Sequence, residues 1–252
     1  ADATAIYGSR AANGVIIITT KKAAAGKTRT EINAFTGISQ VPRYYKLLNT
    51  PQYIEMRKEA MKNDGLPINM QTAPDLVLWD TTRYTDWQHY LWGGNGLRSS
   101  FSANLSGGDA RTSFRASTGY DFDKDIVTER GGNKRGSFSL NVAHKSLNQK
   151  FSFTWSALYS ITSIDATNRT GSVLLPPNAP AIFDNNGKLN YSAWGNSSFP
   201  FQSLLQTYLS KTNFLNSNIK LSYEILKGIE IGANFGYNNS QNDQINKIPI
   251  AS

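Results

Sequence analysis

The sequence predicts an all-β protein: about seven antiparallel strands forming part of a larger transmembrane β-barrel. Three observations point there. From Arg98 onward, long stretches alternate apolar with small polar side chains. They run to about nine residues or more, longer than the usual soluble strand and near the length that a tilted membrane-crossing strand needs. The apolar register is nearly free of charge and ends in aromatics, while the opposite register carries Ser, Asn, Gly and a few charges. A lipid-facing surface with an interfacial girdle, backed by a wet lumen, has that pattern. Finally, long and short connections alternate along the chain, as in a barrel with tight turns at one rim and long loops at the other. A soluble β-sandwich is the competing architecture, but its outward faces are usually charged and its tight turns do not alternate strictly with excursions of roughly 50 residues.

Composition agrees. The 252 residues include 12 Tyr, 12 Phe and 5 Trp but only 17% charged residues, against about 25% in an ordinary soluble domain. There is no Cys, which excludes disulfides, thiolate metal sites and cysteine nucleophiles. The formal net charge is +8, yet Lys and Arg are scattered, with no run longer than Lys21-Lys22 and no nucleic-acid motif. Basic loops on a membrane protein account for it better than nucleic acid does. No apolar run approaches the roughly 20 residues of a transmembrane helix.

The first element is compact. Asn13-Gly14 is a turn pair tolerant of positive φ, and Val15 to Thr20 are an unbroken run of β-branched residues. Such a run suits a strand buried on both faces, although periodicity alone leaves a short buried helix open. The whole segment Ala5-Ile6-Tyr7-Gly8-Ser9-Arg10-Ala11-Ala12-Asn13-Gly14-Val15-Ile16-Ile17-Ile18-Thr19-Thr20-Lys21 resembles the end of the plug domain of SusC/RagA-type TonB-dependent outer-membrane transporters. The resemblance implies that residues 1–22 finish a plug, that 23–27 are a linker, and that 28–252 are the N-terminal portion of the barrel. External loops would then span 40–97, 124–133 and 163–211. Residue 1 falls inside the plug-like segment and no closing strand signal precedes Ser252, so the chain reads as a fragment of something longer.

Taking the elements in order, Gly26-Lys27 is no phosphate loop, because Lys21 stands where that motif needs glycine. Thr28 to Ser39 form the first strand, with the least clean alternation of the set. In the excursion that follows, Thr50 caps a helix with Pro51 at its first position, and Asn63-Asp64-Gly65 ends it. Thr85-Asp86-Trp87-Gln88 resembles a motif that precedes the family's second barrel strand. Phe101, Ala103 and Leu105 then oppose Ser102, Asn104 and Ser106, and Gly107 to Ala110 turn the chain. The alternation repeats through Phe114 to Phe122, Phe138 to Val142 and Phe151 to Tyr159. A last hairpin pairs Leu215 to Tyr223 with Ile229 to Tyr237.

Residues for covalent chemistry are missing. His89 and His144 are the only histidines and neither sits in a metal or triad pattern. His144 ends an apolar register and reads as interfacial. Asp121, Asp123 and Asp125 read as a solvated strand end, with a calcium site at the mouth as the alternative. Asp184-Asn185-Asn186-Gly187 lacks EF-hand spacing and reads as a turn. Glu55 and Glu59, with Arg57, Lys58 and Lys62 nearby, form a solvated helical face. The expectation is no enzyme, no cofactor and no metal.

Binding residues are sought instead in the aromatic loops. Trp79, Trp87, Trp92, Tyr191 and Trp194 lie in the segments placed outside the cell, where flat rings stack on sugars or bury against partner proteins. Several of them could equally anchor the loops. A plug–barrel contact is expected from Tyr7 and Arg10, with Glu31 or Glu230 as the carboxylate that pairs with Arg10. The resemblance further implies import of oligosaccharides or peptides across the outer membrane of a Bacteroidetes-type Gram-negative cell. A SusD-like surface lipoprotein would be the partner, TonB-ExbB-ExbD would supply energy through a more N-terminal region, and outer-membrane lipid would surround the wall. Two rivals stand beside it: a secreted β-sandwich that binds glycans through its loops, and a barrel segment with only a structural or docking role.

Overall fold

A computed structural model describes residues 26–127, 131–167, 174–195 and 199–249. The plug-like segment, with Tyr7 and Arg10, lies outside the described residues.

Seven strands account for most of the described chain: β1 (Gly26–Ser39), β2 (Gly96–Gly108), β3 (Thr112–Lys124), β4 (Gly132–Lys145), β5 (Phe151–Thr167), β6 (Thr207–Leu226) and β7 (Ile229–Lys247). They form one sheet in chain order, each strand antiparallel to its sequence neighbour. Among the described residues the sheet is not closed, and β1 and β7 are its edge strands.

Register gives the sheet two different faces. Residues directly opposite in an antiparallel pair share a face. One row therefore reads Ile32, Ala103, Thr118, Phe138, Tyr159, Leu215 across six strands. The adjacent row, on the other face, reads Glu31, Asn104, Ser117, Ser139, Leu158, Asn216, Asn238. A slip of one residue anywhere would swap the faces. β1 is the least regular strand, since Phe35 falls among the polar residues and is 61% exposed.

The tight turns are built locally. At the end of β2, Gly108 has φ +143°, and a Cβ there would sit 2.1 Å from the Thr112 carbonyl oxygen. Next to it the Asp109 carboxylate accepts from the amides of Arg111 at 2.8 Å and Thr112 at 2.7 Å. These hydrogen bonds hold the Asp109 carboxyl below its usual range. Between β4 and β5, Ser146 Oγ accepts from the Phe151 amide at 2.9 Å.

No second sheet covers the aromatic side among the described residues. Phe101, Tyr120, Phe138 and Phe235 are 44–60% exposed, and every buried hydrophobic residue lies in a connection rather than in a strand. This overturns the β-sandwich alternative, whose core would be made by facing sheets. What the sheet exposes is instead a wide apolar surface of the kind that needs lipid or protein to cover it.

Several boundaries differ from expectation: β1 begins at Gly26, inside the segment 23–27 read as a linker, and β2 and β4 begin at Gly96 and Gly132, inside the loops read as 40–97 and 124–133. β5 runs on to Thr167 and β6 begins at Thr207, so both strands extend into the segment read as a loop from 163 to 211. Their extra residues pair in register, Asp165 with Leu209 and Ser163 with Lys211. Backbone pairing continues past the point where apolar alternation stops, because the ladder needs no particular side chain. In the first helix, α1 (Thr50–Asn63), the cap is Asn49 rather than Thr50. Asn49 Oδ1 accepts from the Gln52 amide at 3.0 Å, and Gln52 Oε1 accepts in return from the Asn49 amide at 3.1 Å, a capping box. The Thr50 hydroxyl is occupied elsewhere, donating to the Arg83 carbonyl at 2.6 Å.

Candidate functional site

The long connections fold into a unit of their own at one end of the sheet. It contains α1, α2 (Pro74–Val77), α3 (Trp87–Trp92), α4 (Tyr191–Trp194) and a 3-10 turn at Gln202–Leu205. Asp86 starts α3 by accepting from the amides of Gln88 and His89, both at 3.1 Å. Its other oxygen lies 2.6 Å from His89 Nδ1. Burial pushes the Asp86 carboxyl up, but the hydrogen bonds and charge of His89 outweigh it and leave the group below its usual range.

Aromatic rings make the unit's core. Trp87 stacks on Phe201 at 5.8 Å between centroids, and Trp194 meets Trp79 edge-on at 5.3 Å. Leu91, Ala179, Ile182, Leu189, Phe199 and Leu204 complete it. The connection from β1 to β2 and the connection from β5 to β6 are thereby fused. Trp87 Nε1 donates to the Pro176 carbonyl at 2.9 Å, the Thr85 amide to Pro177 at 2.8 Å, and Asn178 Nδ2 to the Asp75 carbonyl at 2.7 Å. Within the connection from β1 to β2, Tyr53 Oη and Arg57 Nε on α1 both donate to Asp75 Oδ2, at 2.8 and 3.1 Å. Burial, reinforced by the Asp75 hydrogen bond, pushes the Tyr53 hydroxyl well above its usual value. Arg57 thus leaves the solvated face on which it was expected.

The residues singled out from sequence divide accordingly. Trp79, Trp87 and Trp194 are 9%, 2% and 2% exposed; they hold the loops together and present little surface. Trp92 and Tyr191, at 37% and 41%, face outward. Trp92 lines a cavity of about 540 Å³ where the loops meet the strand ends, together with Asp123, Asp125, Gly132 and Asp165. Asp121 is tied instead to Ser100, whose hydroxyl donates to it at 2.8 Å. Among the described residues no group of three or more His, Asp or Glu is arranged to hold a metal ion. Glu31 lies on β1 and Glu230 on β7, both exposed and on opposite edges of the sheet.

Sequence reasoning missed a groove of about 580 Å³ on the loop unit, lined by Tyr45, Leu47, Leu48, Tyr84, Leu174 and Pro177 among others. Tyr45 is 75% exposed and Leu174 67%. Gln88 shapes it by clamping Tyr45 from both sides of its peptide, accepting from the Tyr45 amide at 2.8 Å and donating to its carbonyl at 2.9 Å. The residues come from separate segments near 45–48, 84–88 and 174–177, so no local spacing announces the groove.

No protein-family model matches the chain. It is 33% identical over 144 residues to the TonB-dependent receptor SusC of Bacteroides thetaiotaomicron, covering 57% of this chain and 13% of that protein. It is 26% identical over 263 residues to the TonB-dependent receptor P3 of Formosa agariphila, covering 98% of this chain and 24% of that one. In fold it matches the RagAB peptide importer in its open-open state with a TM-score of 0.75 at 24% identity, over 96% of this chain and 31% of that chain. The RagAB peptide transporter matches with a TM-score of 0.74 at 22% identity. The chain therefore spans less than a third of the proteins it resembles. The resemblance first seen in its opening segment extends along the chain, which is similar in sequence to the TonB-dependent receptors SusC and P3 and has the fold of part of the RagAB chain that it matches.

Proposed function

We propose that this chain forms part of the wall and outer loops of a TonB-dependent transporter that imports oligosaccharides or peptides across the outer membrane. One observation carries the reading. The sheet is a single layer with one face left uncovered, apolar through its middle and charged only where strands β2 to β7 approach the long loops, while the buried hydrophobic core among the described residues is confined to the loops. Hydrocarbon is the medium that such a face suits, and a wet, plugged lumen suits the serine- and asparagine-bearing face.

In this reading residues 1–22 end the plug, the chain from 23 leads into the wall strand that begins at Gly26, and the long connections stand outside the cell. Tyr7 and Arg10 would hold the plug against the wall, with Glu31 the nearer carboxylate in chain order. A SusD-like lipoprotein would close over the loop unit, and TonB-ExbB-ExbD would move the plug. Trp92, Tyr191 and the Tyr45–Tyr84 groove are the surfaces from which cargo or partner would be recognised; apolar rings beside polar tips serve sugars and peptide side chains alike. The peptide arm is supported by the likeness in fold to a peptide importer.

The test is uptake by cells that carry the full-length gene as the sole transporter for fluorescent oligosaccharides or peptides. Energy-dependent uptake, lost when TonB is deleted, is the expected result. A full-length protein that stays soluble and monomeric without detergent would sink the proposal.

A further inference from the structure

We propose that the loop end of the apolar face carries a binding site for the phosphate-bearing headgroup of an outer-leaflet lipid, made by Lys134, Ser163 and Lys211. The inference rests on the membrane reading above.

From β2 to β7, charge on this face is confined to one end. Following the register across the sheet, the apolar face carries Lys124, Lys134, Asp165, Lys211, Asp243 and Lys247, and all six lie at the end that bears the long loops. The opposite end of the face holds Phe151, Tyr223 and Ile231 in one row and His144 in the next. One row at the loop end reads Ser99, Phe122, Lys134, Ser163, Lys211, Asp243. Lys134 and Lys211 thus flank a single strand whose residue between them is a serine. Two strand spacings put their Cα atoms roughly 10 Å apart, a gap that two long ammonium side chains and a hydroxyl can close around one phosphate. All three are exposed. The ion pairs formed among the described residues, Arg57 with Asp75 and Asp86 with His89, leave these lysines out. Lys134 Nζ instead stands 5.9 Å from the Phe122 ring centroid. Asp243 is the acidic group beside Lys211, and Asp165 faces the cavity at the mouth.

Immediately below the lysine row, toward the middle of the sheet, the next row reads Tyr120, Gly136, Ile161. A Cβ at Gly136 would meet nothing within 4 Å. The glycine leaves a notch walled by Tyr120 and Ile161 directly beneath the cations, which is where the first methylenes of an acyl chain would run if its headgroup were held above. A polar crown over an apolar slot matches a lipid's own division, and neither inorganic phosphate nor an acidic protein has that second half.

The experiment uses the full-length protein in detergent, loaded with a two-chain lipid bearing one headgroup phosphate or with the same lipid enzymatically dephosphorylated. Native mass spectrometry reads what stays bound. The parent should retain the phosphorylated lipid preferentially, and the double variant Lys134→Gln/Lys211→Gln should bind it on the order of tenfold more weakly, with the dephosphorylated lipid unaffected. Gly136→Leu should weaken both lipids alike. Equal retention of the two lipids by the parent, or an unchanged preference in the double variant, would overturn the site. Inorganic phosphate stripping the lipid at millimolar concentration would reassign it to a free anion. A protein that needs no detergent would remove the membrane reading itself, a separate outcome.

Discussion

Single residues decide the loop unit. Trp87 is both a ring in its core and, through Nε1, a donor to the other connection. Trp87→Ala should destabilise the loop unit by about 3–5 kcal/mol, seen as faster protease cleavage within 40–95 and 174–206 while the strands stay resistant. Asp86 gives the unit a dependence on pH. Its carboxyl is held below the usual range in the folded state, so the stability it contributes is complete above the ordinary Asp value of about 4 and is lost as pH falls through the lower folded value. Fluorescence of Trp87 should therefore report loosening of the start of α3 only in that acid window, and Asp86→Asn should flatten the profile there. Of these effects only the helix start beside Asp86 could be read from neighbouring residues; the partners of Trp87 and Arg57 are set by tertiary contacts that spacing does not show.

At the scale of an element, the period of two was decisive and the periods of helices were not. β4 shows why. Leu140 lies on the apolar face and its neighbour Ser139 on the polar one, and every strand beside it repeats the division. Leu140→Arg should cost about 2–4 kcal/mol near mid-membrane, whereas Ser139→Arg, turned to the lumen, should cost far less; refolding into lipid vesicles across a denaturant series measures both. The alternation in β2 to β7 was legible because each strand is half-buried in a different medium on each side. The ends of β5 and β6 were not, since pairing there is kept by backbone groups after the side-chain signal fades. The short helices were equally hidden: α3 and α4 have six and four residues, too few for a helical period to declare itself.

For the whole molecule, the open sheet is the governing feature. β1 and β7 present unpaired ladder groups along 14 and 19 residues, edges that a closed barrel abolishes and an isolated sheet must cover. Expressed by itself, residues 1–252 should associate or aggregate in detergent. The full-length protein should instead run as a compact, heat-modifiable species on semi-native gels. A compact monomer from the short chain would mean that the sheet closes on itself and would remove the case for a larger barrel.

The amino-acid sequence alone determined which side of each strand is apolar, where the tight turns fall and to which receptors the chain is related, because those follow from alternation, turn residues and a long contiguous match. Only the tertiary structure decided what the aromatic loops do. It drew Trp79, Trp87 and Trp194 into a shared core, left Trp92 and Tyr191 outside it, and assembled a groove and a row of lysines from segments far apart in the chain. Which rings are buried depends on how two connections pack against each other, and a linear pattern holds no record of that distance.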